Sequence, residues 1–190
     1  MDRGRHGGNR GDCRKRGRGL RVPAEQQLYF AYGSNMSVKR LRARVPSAEK
    51  VGVGRLRCHS LRIHKLSRVD GSAKCDVKET GRPDDIVYGV VFLIDVADKP
   101  VLDQQEGLGS GYEQKQVWVE MQAGVPVQAF TYYATLIDAS LKPFDWYKSH
   151  VLIGAREHDL PAEYIRQIEA ISSVQDADVE RRSRELAIYG

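Results

Sequence analysis

The 190-residue chain contains no apolar run approaching the roughly 20 residues that a membrane-spanning helix needs. Its opening residues lack the apolar centre of a secretory signal, so a soluble, cytoplasmic protein with no membrane partner is expected. Cysteine is scarce: Cys13, Cys58 and Cys75 form no close pair, and an odd number argues against a disulfide framework. The histidines at positions 6, 59, 64, 150 and 158 are scattered as well, so no zinc-type ligand spacing can be assembled, and no metal is expected. A Walker lysine, a dinucleotide fingerprint and any internal repeat are also missing. At 41% hydrophobic residues the chain can bury one core and is short for two.

Charge is present but unevenly placed. Residues 1–21 hold eight Lys or Arg against Asp2 and Asp12, a local +6 within a net +5, so everything after them carries −1. That segment is Gly and Arg rich with almost nothing apolar, and it cannot bury enough surface to offset the entropy of ordering. Residues 1–24 are therefore expected to be a disordered basic tail. An arm of this kind can contact phosphate without sequence preference, but aromatic residues for stacking on bases are absent and the remainder is close to neutral. A nucleic-acid partner is disfavoured on that ground, and a solvated tail is the plainer reading.

From Gln27 the text becomes globular. Leu28-Tyr29-Phe30-Ala31-Tyr32 is an aromatic-rich strand candidate, after which Ser37 can cap a short helix carrying Val38, Leu41 and Val45. An alternating segment around Leu61 and Ile63 precedes a Gly, Asp and Pro punctuated stretch, Asp70 to Asp84, which reads as a loop. Ile86 to Ile94 is apolar almost throughout and rich in β-branched residues, as in a strand buried on both faces. Asp98 followed by Pro100 starts a short helix that ends near Gly107. Tyr112 to Met121 and Val125 to Tyr133 alternate around Gly124 as a hairpin. One helix near Asp145 carries Tyr147, Val151 and Ala155, and another from Pro161 carries Tyr164, Ile165, Ile168 and Ile171. Strands dominate the middle and helices are short or terminal, so the fold class is α+β, with one domain over residues 25–175 and a charged, potentially helical segment over 176–190.

Two fragments can carry chemistry. In YFAYGSNM, residues 29–36, Gly33 permits close backbone approach to a ligand. The peptide N–H groups between strand and helix can converge on a carboxylate or phosphate. The bland alternative is an ordinary strand-to-helix turn. In LDQQEGLGSGY, residues 102–112, Glu106 stands at a helix end beside Gly107, Gly109 and Gly111, where a carboxyl group can serve as acid or base, or can be a solvated surface glutamate.

These two fragments, together with YKSHVLIGAREHDLPAEY over 147–164, resemble the γ-glutamylcyclotransferase family over roughly residues 27–172. The resemblance implies a small mixed β-barrel with flanking helices. It also implies cyclisation of a small γ-glutamyl amino acid or γ-glutamyl amine to 5-oxoproline and the free amine, without cofactor. Carried over by position, the substrate loop falls on Tyr29, Phe30, Ala31, Tyr32, Gly33, Ser34 and Asn35, the catalytic acid on Glu106, and a substrate-facing tyrosine on Tyr147. A further family tyrosine falls on Tyr112 or one residue later, where this chain has Glu113. The 70–84 stretch departs from the family pattern, which leaves the amine side of the substrate open. A non-catalytic γ-glutamyl-binding module and an RNA-associated protein acting through the basic tail are the alternatives. The geometric expectation is specific: Gly33 and Ser34 should face Glu106 across one cavity.

Overall fold

Strand β1, Gln26–Ala31, is where the aromatic run of the sequence becomes buried structure. The computed structural model describes residues 22–190, so the basic tail expected at the N terminus lies, over residues 1–21, outside the described residues. Along β1 runs β5, Ile86–Asp95, antiparallel with Gln26 opposite Asp95 and Ala31 opposite Val90. The apolar run of β5 is fully buried at Val90, Val91 and Phe92. That is what a strand flanked on both edges requires, since its other neighbour is β2, Glu49–Arg57. Next come β6, Tyr112–Met121, and β7, Pro126–Ala134, joined as the expected hairpin. A parallel contact at Tyr29 and Phe130 returns β7 to β1 and closes a five-stranded barrel in the order β1-β5-β2-β6-β7. The mixed barrel with flanking helices is thus present.

Two strands were not legible. Residues 70–84, read as a loop, contain β4, Ala73–Glu79, which pairs with β3, His59–Leu66, as a separate two-stranded sheet. The cause is Asp76, a turn-like residue in the text that is 3% exposed in the fold. Its Oδ1 accepts the Ala134 N–H at 2.7 Å and its Oδ2 lies 2.8 Å from His64 Nε2, so a buried acid replaces an apolar residue in mid-strand. Strand β2 was obscured by Gly52 and Gly54. A side chain at Gly54 would meet Val119 Cγ1 at 2.3 Å, so the cross-strand neighbour occupies its space.

The helices follow the text more closely. Ser37 caps α1, Val38–Arg42, with its Oγ accepting the Arg40 N–H at 3.4 Å. Helix α2 spans Lys99–Glu106 and stops at Gly107 in the left-handed region (φ 70°). Asp98, expected to cap α2, makes no such bond; its Oδ2 accepts the Ser47 N–H instead, at 3.1 Å. Helices α3, Asp145–Glu157, and α4, Ala162–Glu169, bury Val151, Ala155 and Ile168, while Ile171 falls beyond the end of α4. The charged C terminus forms α5, Val179–Leu186. Against the expectation from cysteine usage, Cys58 is disulfide-bonded, whereas Cys75 is a free buried thiol. Among the described residues no helix is long and apolar enough to cross a membrane.

The core is the barrel interior, led by Phe30, Phe92, Phe130 and Ile94, each worth about 1.5–3 kcal/mol on burial. Helix α3 lies directly on the turn that follows β1. A Cβ at Gly154 would sit 2.6 Å from both Met36 Cβ and Ser37 N, so only glycine lets helix and turn touch. His158 adds a 2.8 Å contact from Nε2 to the Met36 carbonyl, and burial lowers its pKa, keeping the ring a neutral donor.

Candidate active site

The end of β1, the α2 terminus, β4 and α3 meet around an open cleft of about 280 Å³. Tyr32, Gly33, Ser34 and Asn35 form one wall, and Glu106 faces it. Tyr29, Tyr112 and Tyr147 line it too, so the expected cavity between Gly33, Ser34 and Glu106 exists. Two of the carried-over positions do not reach it. Phe30 and Ala31 are 0% and 1% exposed and do not line the cleft; the Phe30 carbonyl accepts from Thr131 Oγ1 at 2.9 Å. They support the loop from below. Glu113 is exposed and likewise away from the cleft, whereas Tyr112 lines it.

Glu106 arrives by way of α2. Leu102 is wholly buried, and Asp103, one residue on, accepts the Tyr132 hydroxyl at 2.5 Å while pairing with Lys99 Nζ at 2.6 Å. These contacts fix the helix face that carries Glu106 one turn later. Asn35 Nδ2 then donates to Glu106 Oε1 at 2.8 Å, and Arg44 Nη1 approaches the same oxygen at 3.3 Å. Both partners take Oε1, and among the described residues nothing bonds Oε2. Arg44 also donates to Asn35 Oδ1 at 3.1 Å, closing a three-membered network. Burial lowers the Arg44 pKa, with Glu106 opposing that shift.

The loop itself carries uncommitted donors. Its 3₁₀ turn, Ser34–Met36, uses the Gly33 and Ser34 carbonyls to accept from Met36 and Ser37. Among the described residues no acceptor pairs with the peptide N–H groups of Gly33, Ser34 or Asn35. Ser34 and Asn35 are 9% and 3% exposed, and buried N–H groups without acceptors are costly unless they serve an anion. Gly33 adopts φ −119°, open to any residue, so its role is spatial. A Cβ there would lie 3.1 Å from Cys75 Cβ and 3.5 Å from the Tyr147 hydroxyl, narrowing the cleft.

The tyrosines divide by where their protons go. Tyr32 donates to the Tyr132 carbonyl at 2.6 Å, and Tyr112 donates to the Cys75 carbonyl, so these two are walls. Tyr29 accepts from Asn35 at 3.2 Å, leaving its own hydroxyl proton uncommitted, whereas Tyr147 accepts from the Cys75 N–H at 2.9 Å and turns its hydroxyl proton to the Cys75 side chain. Burial raises all four pKa values, so each stays protonated at working pH. Cys75, pushed up to about 12 by burial, is a thiol rather than a nucleophile. No cluster able to hold a metal occurs among the described residues.

Sequence reading missed Arg44, Cys75 and Tyr132, which also shape this site. Arg44 sits in the basic run RLRAR, which resembles a solvated face; Cys75 lay in the supposed loop; Tyr132 was one of several alternating strand aromatics.

A family model described as the AIG2-like family matches residues 86–168. A curated γ-glutamylcyclotransferase of Bos taurus is 35% identical over 152 residues, covering 77% of this chain and 79% of that relative. Its counterpart in Homo sapiens matches at the same identity and coverage. Among solved structures, one described as gamma-glutamyl cyclotransferase superposes with a TM-score of 0.74 at 30% identity, over 85% of this chain and 99% of that one. An uncharacterized human protein gives 0.73 at 31% identity, over 83% and 97%. Likeness of this extent in sequence and fold means that the chain belongs to the γ-glutamylcyclotransferase family.

Proposed function

We propose that this chain converts a γ-glutamyl amino acid or γ-glutamyl amine into 5-oxoproline and the free amine, with Glu106 moving the protons. The observation that carries the reading is the 2.8 Å bond from Asn35 to Glu106 Oε1. It sets a loop with unpaired N–H groups beside a carboxylate whose second oxygen is open to the cleft.

The substrate α-carboxylate would rest on the Gly33 and Ser34 amides, which brings the adjacent α-ammonium toward Glu106. Glu106 takes a proton, and the α-nitrogen attacks the γ-carbonyl of its own side chain. A five-membered ring closes as the new C–N bond forms. Breaking the old amide C–N bond releases the amine, to which Glu106 returns the proton. Two protons leave the α-nitrogen and two reach the departing nitrogen, so the sum balances and no water is consumed. Such a proton shuttle is worth about 10²–10⁴ in rate. Holding the chain folded for intramolecular attack adds several kcal/mol more. The uncommitted Tyr29 hydroxyl, and the Tyr147 hydroxyl on turning away from the Cys75 thiol, can donate to the γ-carbonyl oxygen as it gains charge. Tyr32 and Tyr112, their protons already engaged, shape the walls. The reaction is assigned to the cytoplasm and to a small molecule, and residues 1–21 are given no part in it.

Incubating the purified chain with γ-glutamyl-alanine, glutathione and a γ-glutamyl alkylamine, and quantifying products, tests the reading. Equal amounts of 5-oxoproline and released amine are expected from at least one compound. Release of glutamate instead, or no 5-oxoproline from any, contradicts it.

A further inference from the structure

Lys65 is a lysine in the wrong place for a surface residue. It is 8% exposed, near the end of β3, where the register with β4 slips between Ile63 and Lys65. Bulges of this kind re-aim side chains and recur beside active sites. Here the Lys65 ammonium lies 4.6 Å from the centroid of the Tyr112 ring, which walls the cleft. The space it uses is left by Gly111, whose Cβ would stand 3.1 Å from Lys65 Cε and whose φ of 120° few other residues adopt.

No counter-ion among the described residues bonds it, although Glu106 and Asp70 act on it from a distance. The nearby Asp70 is taken by Lys74 Nζ at 2.6 Å and by the Ser72 amide and hydroxyl at 3.0 Å. Glu106 is engaged by Asn35 and Arg44. Among the described residues no hydrogen bond or ion pair forms at Lys65 Nζ. Its cross-strand partner is another cation, Lys74, and like charges set opposite each other destabilise a ladder. The Lys65 stem is buried while its ammonium keeps solvent contact and no bonded anion, which leaves it available to a ligand carboxylate. Lys65 is also within electrostatic reach of Glu106, which opposes the lowering of its pKa by burial.

We propose that Lys65 is a specificity-determining residue for the amine side of the substrate, binding a carboxylate carried by the leaving amine. The inference rests on the reaction proposed above, in which the α-carboxylate lies on the Gly33 loop; it adds that the leaving group extends past the Tyr112 wall toward Lys65. The same carboxylate would ride on a leaving amino acid and be absent from a simple alkylamine. The β3–β4 hairpin, whose second strand lies in the 70–84 stretch that departs from the family pattern, thereby becomes the reader of the amine.

The test compares kcat/KM for γ-glutamyl-alanine with its neutral isostere γ-glutamyl-alaninamide. The native chain should favour the carboxylate by about 10- to 100-fold, the size of a charged hydrogen bond. Lys65→Met, which keeps the apolar stem, should bring the two within about twofold by weakening the carboxylate substrate alone, chiefly through KM. Lys65→Arg should retain most of the preference. Equal losses on both substrates, or no preference in the native chain, overturn the proposal while leaving the reaction intact. Inactivity of the native chain on both also overturns the proposal if a γ-glutamyl alkylamine or glutathione is turned over, and overturns the reaction itself if none of these compounds yields 5-oxoproline. Because Lys65 is unpaired, Lys65→Met should unfold at the same temperature or higher; a marked fall in Tm would make Lys65 a structural support and defeat the claim.

Discussion

Asn35 commits its whole amide to the site: Nδ2 bonds Glu106 and the Tyr29 hydroxyl, and Oδ1 accepts from Arg44. It therefore orients the proton carrier without reacting. Asn35→Ala should lower kcat by about 10- to 100-fold, as expected when a catalytic carboxylate loses its orienting bond, while KM changes less. Steady-state kinetics check this, and an unaltered kcat would show that Glu106 needs no such guide. Gly33 acts through space. Gly33→Ala places a methyl group 3.1 Å from Cys75 Cβ and should raise KM more than it lowers kcat. At this scale the sequence was informative about residues grouped in short motifs, such as YGSN and the glutamate before GLGSGY. It was silent on Arg44, which becomes part of the site only when the turn after α1 folds back on α2.

Among elements, β4 shows most clearly why part of the fold stayed hidden. Sequence patterns assume that a buried strand position is apolar, whereas Asp76 is buried because the Ala134 amide and His64 satisfy it. The C-terminal helix α5 has no buried residue and is held mainly by charge. Arg40 meets Glu185 at 2.8 Å, Arg181 meets Asp176 at 2.6 Å and Arg182 meets Asp145 at 2.8 Å. The His150 ring and the Arg40 guanidinium hold the Glu185 carboxyl down to about 2. A carboxyl whose folded pKa is depressed contributes stability above its unfolded pKa of about 4.3 and loses it as pH falls toward 2. Amide exchange over Val179–Leu186 should therefore quicken between about pH 4 and pH 2. Glu185→Gln should exchange fast already at neutral pH and lack the acid step; an unchanged acid profile in that variant would refute the anchoring role.

For the molecule as a whole, the decisive feature is closure. The parallel seam between β1 and β7 is short, so side chains supplement it. Thr131 Oγ1 bonds the Phe30 carbonyl at 2.9 Å, and the Tyr32 hydroxyl bonds the Tyr132 carbonyl at 2.6 Å. Thr131→Val keeps the volume and removes the first of these, leaving a buried carbonyl unpaired. It should cost about 1–2 kcal/mol, or about 3–6 °C in Tm. Periodicity identified the barrel strands β1, β5, β6 and β7 one by one, yet nothing local states that β1 meets β7, because that pairing joins residues about a hundred positions apart. Closure is also what carries the YGSN loop to Glu106, and through it the fold becomes a candidate catalyst. The most direct measurement is a comparison of turnover and binding in Glu106→Gln, which keeps shape and loses the proton shuttle. 5-Oxoproline formation should fall by at least about 10²-fold, while calorimetric affinity for the same γ-glutamyl compound stays within a few-fold of the native value. Native turnover in that variant would contradict the assignment of Glu106 as the group that moves the proton.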